Sequence, residues 1–246
     1  MKRAKILSLL LSFALLLSLV TLPAAAGDKG AFPDVEGHWS EESVGRWAGY
    51  GVLNGDENGT FSPDKSMTRA EFATMLVNLM GYTEKAQNTF QDVAANAWYA
   101  DAILKLAAAG VMKGDGVNAN PDTPISREEA AVLLCRAMGI EPGGDAGLEF
   151  VDRGAVSPWA QGAVAALSER GMISGVGENT FAPGLDITRA AVAKMVDNMV
   201  AAYVVDDAAE LTGEINGVVI VAANADVVLK DAALSENLIV APKAGE

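Results

Sequence analysis

Apolar residues in this chain recur three or four positions apart in six stretches, which is the spacing of one buried helix face. Three of the stretches are short: Val44, Trp47 and Ala48; Ile103, Leu106 and Ala107; and, more weakly, Val164, Leu167 and Ser168. Three are longer: Phe72, Met75, Leu76 and Leu79; Ala130, Leu133, Leu134 and Ala137; and Val192, Met195, Val196 and Met199. Polar loops separate each short stretch from the long one that follows it. The pattern therefore predicts three helix-loop-helix units.

Four sequence motifs recur in each of these units and in the same order. The first is Phe32-Pro33-Asp34-Val35, Phe90-Gln91-Asp92-Val93 and Phe150-Val151-Asp152, with starts 58 and 60 residues apart. A tryptophan follows, and then a G-x-x-x-G motif: Trp39 and Gly51, Trp98 and Gly110, Trp159 and Gly171. The last is Thr68-Arg69-Ala70-Glu71, Ser126-Arg127-Glu128-Glu129 and Thr188-Arg189-Ala190-Ala191. Repetition of this kind predicts a stacked or pseudo-symmetric architecture.

The motifs also mark where the helices end and begin. The first glycine of each G-x-x-x-G motif stands where a helix C-cap needs a left-handed residue. Thr68 with Glu71, and Ser126 with Glu129, form capping boxes, in which the hydroxyl caps the helix and the glutamate binds back to the cap's own N–H. We expect each cap to contribute about 1 kcal/mol of stability.

Capping does not explain the arginine of the last motif. A cation in the first turn of a helix is mildly unfavourable against the helix dipole. Each second helix nevertheless carries one: Arg69, Arg127 and Arg189. An anion bound at that point would accept from both the arginine and the free helix N–H groups. Alternatively, the arginines pair with the acids of the first motif, which are Asp34, Asp92 and Asp152.

The chain changes character after about Ala202, where the helical spacing stops. Residues 215–222 match residues 234–241 at an offset of 19 positions. Short β-rich runs at that period are typical of the rungs of a parallel β-helix. Two rungs cannot bury a core alone, so the sequence predicts either a truncated or vestigial β-helix or a segment that docks on something else.

The first 26 residues have the order of a secretory signal peptide. A basic stretch at 1–5 precedes an apolar run at 6–20, and three small residues end the segment at Ala26. An uncleaved membrane anchor is the alternative, because residues 6–22 approach the length that spans a bilayer. We predict cleavage after Ala26 and an exported mature chain with no membrane anchor of its own.

Composition narrows the chemistry that is open to the chain. Its 246 residues carry a formal net charge of −14, which becomes −17 once Lys2, Arg3 and Lys5 leave with the signal peptide. This acidity argues against nucleic acid as a partner. A lone cysteine, Cys135, and a lone histidine, His38, exclude a disulfide framework and a Cys/His zinc site within one chain. We expect no metal and no cofactor, and any Ser-His-Asp catalysis would depend on His38.

The motifs of residues 32–73 resemble an S-layer homology domain, and the other two copies follow them. The resemblance implies a mainly α fold, namely a pseudo-threefold bundle of three helix-loop-helix repeats. To this we add a short C-terminal β segment resembling one or two β-helix rungs. The expected divisions are a signal peptide at 1–26, repeats at 31–81, 89–140 and 149–201, and a β-rich segment at 210–246.

The resemblance also implies a function. Members of the family bind secondary cell-wall polysaccharide in grooves between repeats, commonly through a pyruvate-ketal sugar that carries a carboxylate. Matched motif by motif, the glycan-binding residues would be Asp34, Trp39, Gly51, Arg69, Asp92, Trp98, Gly110, Arg127, Asp152, Trp159, Gly171 and Arg189. Alternatively, the three tryptophans only fill the core. We therefore expect a secreted, non-catalytic anchor at the cell wall or S-layer, with self-assembly as a further option. The alternatives are a truncated surface polysaccharide-active enzyme and an envelope tether that binds peptidoglycan.

The three copies are not equal. Glu128 stands where the first copy has Ala70 and adds a negative charge beside Arg127. Ala191 stands where the capping glutamate belongs in the third copy. We expect both of these sites to bind more weakly than the first copy, which has every element of the motif.

Overall fold

The computed structural model describes residues 32–144, 148–205, 208–222 and 226–241, so the predicted signal peptide lies outside the described residues. This part of the chain contains six α-helices, two from each repeat. They are α1 (Glu41–Gly49), α2 (Arg69–Met80), α3 (Ala100–Ala108), α4 (Arg127–Ala137), α5 (Gln161–Glu169) and α6 (Arg189–Met199). Among the described residues, no helix has both the length and the apolar character to cross a membrane.

The second helix of each repeat begins at the hydroxyl cap that the sequence predicts. Thr68 Oγ1 accepts from the Glu71 N–H at 3.2 Å, and the Glu71 carboxylate accepts from the Thr68 N–H at 2.9 Å. The same box forms at the start of α4. At the start of α6, Thr188 Oγ1 accepts from the Ala191 N–H. Ala191 has no carboxylate that could accept from the Thr188 N–H, so the second bond of a capping box is missing there. The predicted capping boxes are confirmed.

The residue before each cap joins the three repeats in a closed ring of backbone hydrogen bonds. The Met67 N–H donates to the Ile187 carbonyl at 2.9 Å. The Ile187 N–H donates to the Ile125 carbonyl at 3.0 Å, and the Ile125 N–H donates to the Met67 carbonyl at 2.9 Å. All three side chains are buried. Each repeat is therefore in direct contact with both of the others.

The helices pack across repeat boundaries. α1 packs against α6, α3 against α2 and α5 against α4. The apolar faces predicted from the sequence meet in one core, which includes Trp47, Phe72 and Leu106. The loops between helices insert Phe61 and Phe181 into this same core. Burial of these rings fixes the loops that form the walls of the grooves described below.

Five strands follow α6 in the described residues: β1 (Val200–Val204), β2 (Ala208–Ile215), β3 (Val218–Val221), β4 (Asp226–Leu234) and β5 (Leu238–Val240). One parallel sheet has the order β1-β3-β5, and a second consists of β2 paired in parallel with β4. The 19-residue offset of the sequence reappears in the register, because Ile215 pairs with Leu234 and Ile220 pairs with Ile239.

Side chains fasten these strands to the helices. The Tyr203 ring meets Trp47 edge-on at 5.7 Å, and its hydroxyl donates to the Leu79 carbonyl at 3.3 Å. Burial raises the pKa of Tyr203 to about 12. Asn237 Nδ2 donates to the Met138 carbonyl at 2.9 Å. The β segment thus docks on the helices, which is one of the two options that the sequence left open.

The predicted fold class is wrong in two respects. Helices make up only 32% of the described residues and strands 17%, so the fold is not a mainly α bundle. The β segment is not a β-helix either, because its first sheet, β1-β3-β5, continues directly from α6 and packs on the helical core. The physical reason lies in β1 and β3. Val200 and Val218 face the helical core, whereas Ala202 and Val219 pack with residues of β2, so the first sheet is covered on both faces.

Candidate functional site

Three open cavities lie between the repeats, each beside the loop of one G-x-x-x-G motif. Groove 1, of about 300 Å³, includes Asn54, Gly55, Trp98 and Arg189 in its lining. Groove 2, of about 350 Å³, includes Arg69, Lys113, Gly114 and Trp159. Groove 3, of about 400 Å³, includes Trp39, Arg127, Ser174 and Gly175. Cavities of this size fall within the range of small-molecule sites.

All three repeats contribute to each groove. The loop comes from one repeat, the arginine from the repeat before it in the ring, and the tryptophan from the remaining repeat. In groove 3, for example, Trp39 of the first repeat meets Arg127 of the second and Ser174 of the third. The structure therefore brings the predicted arginines and tryptophans together, but never an arginine with the tryptophan of its own repeat.

The arginines reach across the repeat boundary to backbone carbonyls of the neighbouring loop. Arg189 Nε donates to the Phe61 carbonyl at 2.7 Å, and its Nη2 donates to the Asn54 carbonyl at 2.6 Å. Arg127 makes the equivalent two bonds to the loop of the third repeat, at 2.8 and 2.9 Å. These bonds explain why a cation stands in the first turn of each second helix.

Arg69 differs from the other two. Its Nε donates to the Ala119 carbonyl at 2.8 Å, but its Nη1 pairs with the Glu129 carboxylate at 2.7 Å. Within the described residues, one Nη nitrogen of each of the three arginines has no hydrogen-bond partner in the protein. Each guanidinium therefore keeps donors for a ligand in its groove.

The predicted aspartates hold the same loops by another route. The Asp34 carboxylate accepts the Phe61 N–H at 2.9 Å and the Ser62 N–H at 2.6 Å. Asp92 and Asp152 make the matching bonds in the other repeats. Burial opposes ionisation of Asp34, but the two N–H donors outweigh it and hold its pKa below the usual value. Among the described residues that line the three grooves, none is one of these aspartates.

One loop residue links the aspartate of a repeat to the arginine of another. The Phe61 N–H donates to Asp34, and the Phe61 carbonyl accepts from Arg189. Ala119 and Phe181 occupy the equivalent positions in the other two loops. No direct ion pair joins these arginines and aspartates within the described residues. The loop backbone stands between the two charges, so the ion-pair alternative is not what the structure shows.

The helix N–H groups that the sequence offered to an anion already have partners. The Arg69 N–H donates to the Thr123 carbonyl at 3.0 Å, and the Ala70 N–H donates to the Pro121 carbonyl at 2.9 Å. Loop carbonyls of the next repeat bind the starts of α4 and α6 in the same way. An anion in a groove must therefore be bound by side chains, and the start of the helix contributes no free donor there.

The three predicted tryptophans have exposed side chains at the grooves. Trp39, Trp98 and Trp159 are 62%, 65% and 56% exposed, and each lines a different groove. An aromatic ring that is exposed at the edge of a polar groove offers an apolar face to a ligand. Trp47, by contrast, is fully buried, so the core-filling role that was the alternative for the three tryptophans belongs to Trp47.

The predicted glycines have a different place from the other site residues. Gly51, Gly110 and Gly171 have φ near +70° just after the first helices, which is the C-cap role, and the linings of the grooves do not include them among the described residues. The second glycine of each motif lines the groove instead. A Cβ on Gly175 would lie 2.8 Å from the Thr180 carbonyl oxygen, so this loop closes only around glycine.

Sequence comparison between repeats missed one lysine in each groove. Groove 1 contains Lys65, groove 2 contains Lys113 and groove 3 contains Lys194. The three lysines occupy different positions of the repeat, so no shared motif marks them. Of the three, only Lys113 could have been found from the sequence, because it lies inside a G-x-x-x-G motif.

Glu128 does not act as its position suggested. Its carboxylate accepts from the Ser157 N–H and the Ser157 hydroxyl, both at 2.8 Å. The side chain is 9% exposed, and the groove that contains Arg127 does not include it among the described lining residues. The charge of Glu128 therefore anchors the segment before α5 and is directed away from the anion that Arg127 would bind.

The aspartate anchors lead to a prediction about stability. Replacing Asp92 by alanine leaves the Ala119 and Asn120 N–H groups without their acceptor, so we expect a loss of about 2 kcal/mol in the free energy of unfolding. Urea unfolding of the purified chain measures this loss. Asp122→Ala, which removes an exposed carboxylate from the same repeat, is the matched control. Equal stability of the two variants would contradict the anchoring role.

Comparison with known proteins agrees with the repeat structure. The model of the S-layer homology domain family matches residues 31–73, 89–131 and 149–193. The chain is 34% identical over 72% of its length to the surface-layer 125 kDa protein of Lysinibacillus sphaericus. It is 30% identical over 78% of its length to the S-layer protein EA1 of Bacillus anthracis, and 33% identical over 67% to the exoglucanase XynX of Acetivibrio thermocellus. It spans 15%, 22% and 16% of these relatives, respectively.

The family model matches three tandem segments that together cover more than half of the chain, so this chain belongs to the S-layer homology domain family. Its S-layer relatives and its family place it at the cell surface, in an anchoring role. The similarity to enzymes covers only the S-layer homology region and brings no catalytic domain into the comparison.

Proposed function

We propose that this chain is a non-catalytic anchoring module that binds a carboxylate-bearing secondary cell-wall polysaccharide in its three grooves. One observation supports this most strongly. Each groove combines a buried or half-buried arginine, which retains a free Nη, with a tryptophan that is more than half exposed. A pyruvate-ketal sugar presents the complementary pair, because it has a carboxylate for the guanidinium and an apolar ring face for the indole.

The position of the arginines favours a carboxylate over a neutral sugar. Arg69 and Arg127 are 9% and 6% exposed, and loop carbonyls hold their guanidinium groups in fixed orientations. A preorganised, partly desolvated guanidinium forms stronger charge-assisted hydrogen bonds than a mobile surface lysine does. The overall charge is acidic, so attraction to an anionic polymer must come from these local donors and weaken with added salt.

The single histidine supports a non-catalytic role. His38 Nδ1 lies 2.7 Å from Ser40 Oγ, and His38 Nε2 lies 3.4 Å from an Asp64 carboxylate oxygen. Serine, histidine and aspartate are linked in the same way in a catalytic triad. Ser40, however, is fully buried at the start of α1. A nucleophile must reach its substrate, and the buried Ser40 hydroxyl cannot do so. We therefore assign these contacts a structural role at the start of α1.

Three grooves on one module suit a polymer better than a single sugar. When one groove is occupied, further units of the same polymer are held near the other two at a high effective concentration. Multivalent binding of this kind can raise the overall affinity by roughly 10²–10⁴ over one site. The module would thereby hold the chain at the wall without a covalent bond.

Sedimentation with purified cell walls tests the proposal. We expect the chain to co-sediment with walls of the producing cell, and we expect retention to fall by about tenfold or more once mild acid has removed the pyruvyl groups. Walls incubated without acid, and acid-treated walls whose total hexose content is checked, are the controls. Equal retention on both kinds of wall would contradict the carboxylate requirement, and no retention on native walls would contradict glycan binding itself.

A further inference from the structure

The three grooves differ at the position of the capping glutamate. In grooves 1 and 2 the lining includes Glu71 and Glu129, which complete the capping boxes of α2 and α4. In groove 3 the equivalent residue is Ala191, so the helix cap there is half complete. The capping carboxylate thus lines grooves 1 and 2 and is absent from groove 3, where Asp186 is the one carboxylate among the described lining residues.

This difference changes the state of the arginine. In groove 2, Arg69 forms an ion pair with Glu129 at 2.7 Å, so its charge is already compensated. In groove 3, the bonds of Arg127 go to the Phe181 and Ser174 carbonyls, and among the described residues it has no ion-pair partner. Groove 3 therefore offers an uncompensated guanidinium to an incoming anion.

The pKa values of the arginines agree with this geometry. Burial lowers the pKa of Arg189 in groove 1, and three carboxylates oppose that effect: Glu71, Asp56 and Asp34. Burial also lowers the pKa of Arg127, but there only Asp152 opposes it. Fewer fixed negative charges surround Arg127, so a ligand carboxylate meets less repulsion in groove 3.

The walls of groove 3 are also less polar. Val176 stands at the position of Asp56 in groove 1, and Leu185 stands at the position of Lys65. Both apolar side chains are about half exposed and line the groove. An apolar wall lowers the local dielectric and strengthens an ion pair between ligand and arginine. The remaining charges of the lining are those of Asp186 and Lys194, and Lys194 is paired with Asp197 at 3.4 Å.

We infer that the arginine of groove 3 is the one most available to an anion, and that the absence of a carboxylate at Ala191 gives it this availability. This inference rests on the proposed function. It reverses the sequence-based expectation that the copy without the glutamate binds more weakly. With alanine at position 191, the cap of α6 lacks one hydrogen bond, but no capping carboxylate competes with a ligand for Arg127.

Two substitutions at one position isolate the charge. Ala191→Glu and Ala191→Gln add nearly the same volume to groove 3, and either side chain can complete the capping box. Only the glutamate places a negative charge beside Arg127. We expect Ala191→Glu to bind an anionic sugar about tenfold more weakly than Ala191→Gln, while neither variant lowers the midpoint of thermal unfolding.

The probe is a methyl hexoside that carries a pyruvate ketal, and its methyl ester is the uncharged control. Binding to groove 3 is followed by tryptophan fluorescence of the full chain with Trp98 and Trp159 replaced by phenylalanine. Trp39 then reports on this groove, and the buried Trp47 contributes a constant background. The reciprocal variant is Glu71→Gln, which keeps the helix cap of α2 and removes the carboxylate from groove 1. With Trp98 as the reporter, we expect it to strengthen binding there.

The outcomes separate the inference from the proposed function. Weaker binding by Ala191→Glu than by Ala191→Gln, together with stronger binding by Glu71→Gln, supports the inference. Saturable binding that is equal in Ala191→Glu and Ala191→Gln overturns the inference and leaves the proposed function standing. The absence of any saturable change with the charged hexoside, whether Trp39, Trp98 or Trp159 is the groove tryptophan that is kept, overturns both.

Discussion

Replacing Trp39, Trp98 and Trp159 together by alanine should lower the affinity for native cell walls by about a hundredfold or more. Each ring lines a different groove, so the triple variant removes one aromatic contact from every site at once. A tryptophan that anchors a bound partner commonly contributes about 2 kcal/mol or more to binding. Loss of this contact in all three grooves also removes most of the gain from multivalency.

The fold should survive this change. The three rings are more than half exposed, and surface substitutions of such residues usually change stability by about 0.5 kcal/mol or less. Val117 and Val151 provide a matched control, because they are exposed apolar residues that do not belong to the described linings of the grooves. Their double replacement by alanine should leave wall binding intact. Undiminished binding by the triple tryptophan variant would contradict the placement of the ligand in the grooves.

The repeat pattern predicted two groove-lining residues in each repeat, a tryptophan and an arginine. Trp39, Trp98 and Trp159 could be predicted because they recur at one position before each first helix and fall outside its apolar stripe. Their exposure in the structure agrees with that interpretation. Sequence could not show which arginine shares a groove with which tryptophan. That pairing depends on the ring through Met67 and its two counterparts, which brings three distant segments together.

The role of the arginines shows a second limit. Helix capping did not explain Arg69, and this suggested that an anion binds at the start of α2. In the structure, the first N–H groups of α2 donate instead to backbone carbonyls of the next loop. The side chain itself reaches 50 positions along the chain, to Ala119. Helical spacing describes neighbours within about one turn and cannot describe such a contact. The arginine therefore stabilises a loop and lines a groove, and its removal would affect both properties.

The C-terminal segment shows the same limit for the fold. The 19-residue offset was visible in the sequence and does set the pairing of Ile220 with Ile239. A repeat with this period suggests rungs that stack on one another, but it does not indicate what covers their faces. Val200 and Val218 join the helical core, and so tertiary burial decided the arrangement of the strands.

Trp47→Ala should lower the free energy of unfolding by about 3–5 kcal/mol, which is the usual cost of emptying a buried tryptophan site. Trp47 is fully buried between repeats and strands. Its ring lies 5.9 Å from that of Tyr50 and 5.7 Å from that of Tyr203, and the Arg46 guanidinium lies 5.0 Å from its centroid. The cavity would therefore open where α1 meets β1, and the docked β segment would lose its largest aromatic contact.

Urea unfolding of Trp47→Ala beside Trp98→Ala tests this expectation with two substitutions of identical chemistry. Trp98 is exposed, so its variant should lose little stability, and the difference between the two isolates the contribution of burial. Trp47→Leu should recover part of the loss, because Leu106 and Leu167 fill the equivalent positions of α3 and α5. A loss below about 1 kcal/mol in Trp47→Ala would contradict the close packing of helices and strands at this point, since a filled core site cannot be emptied at so small a cost.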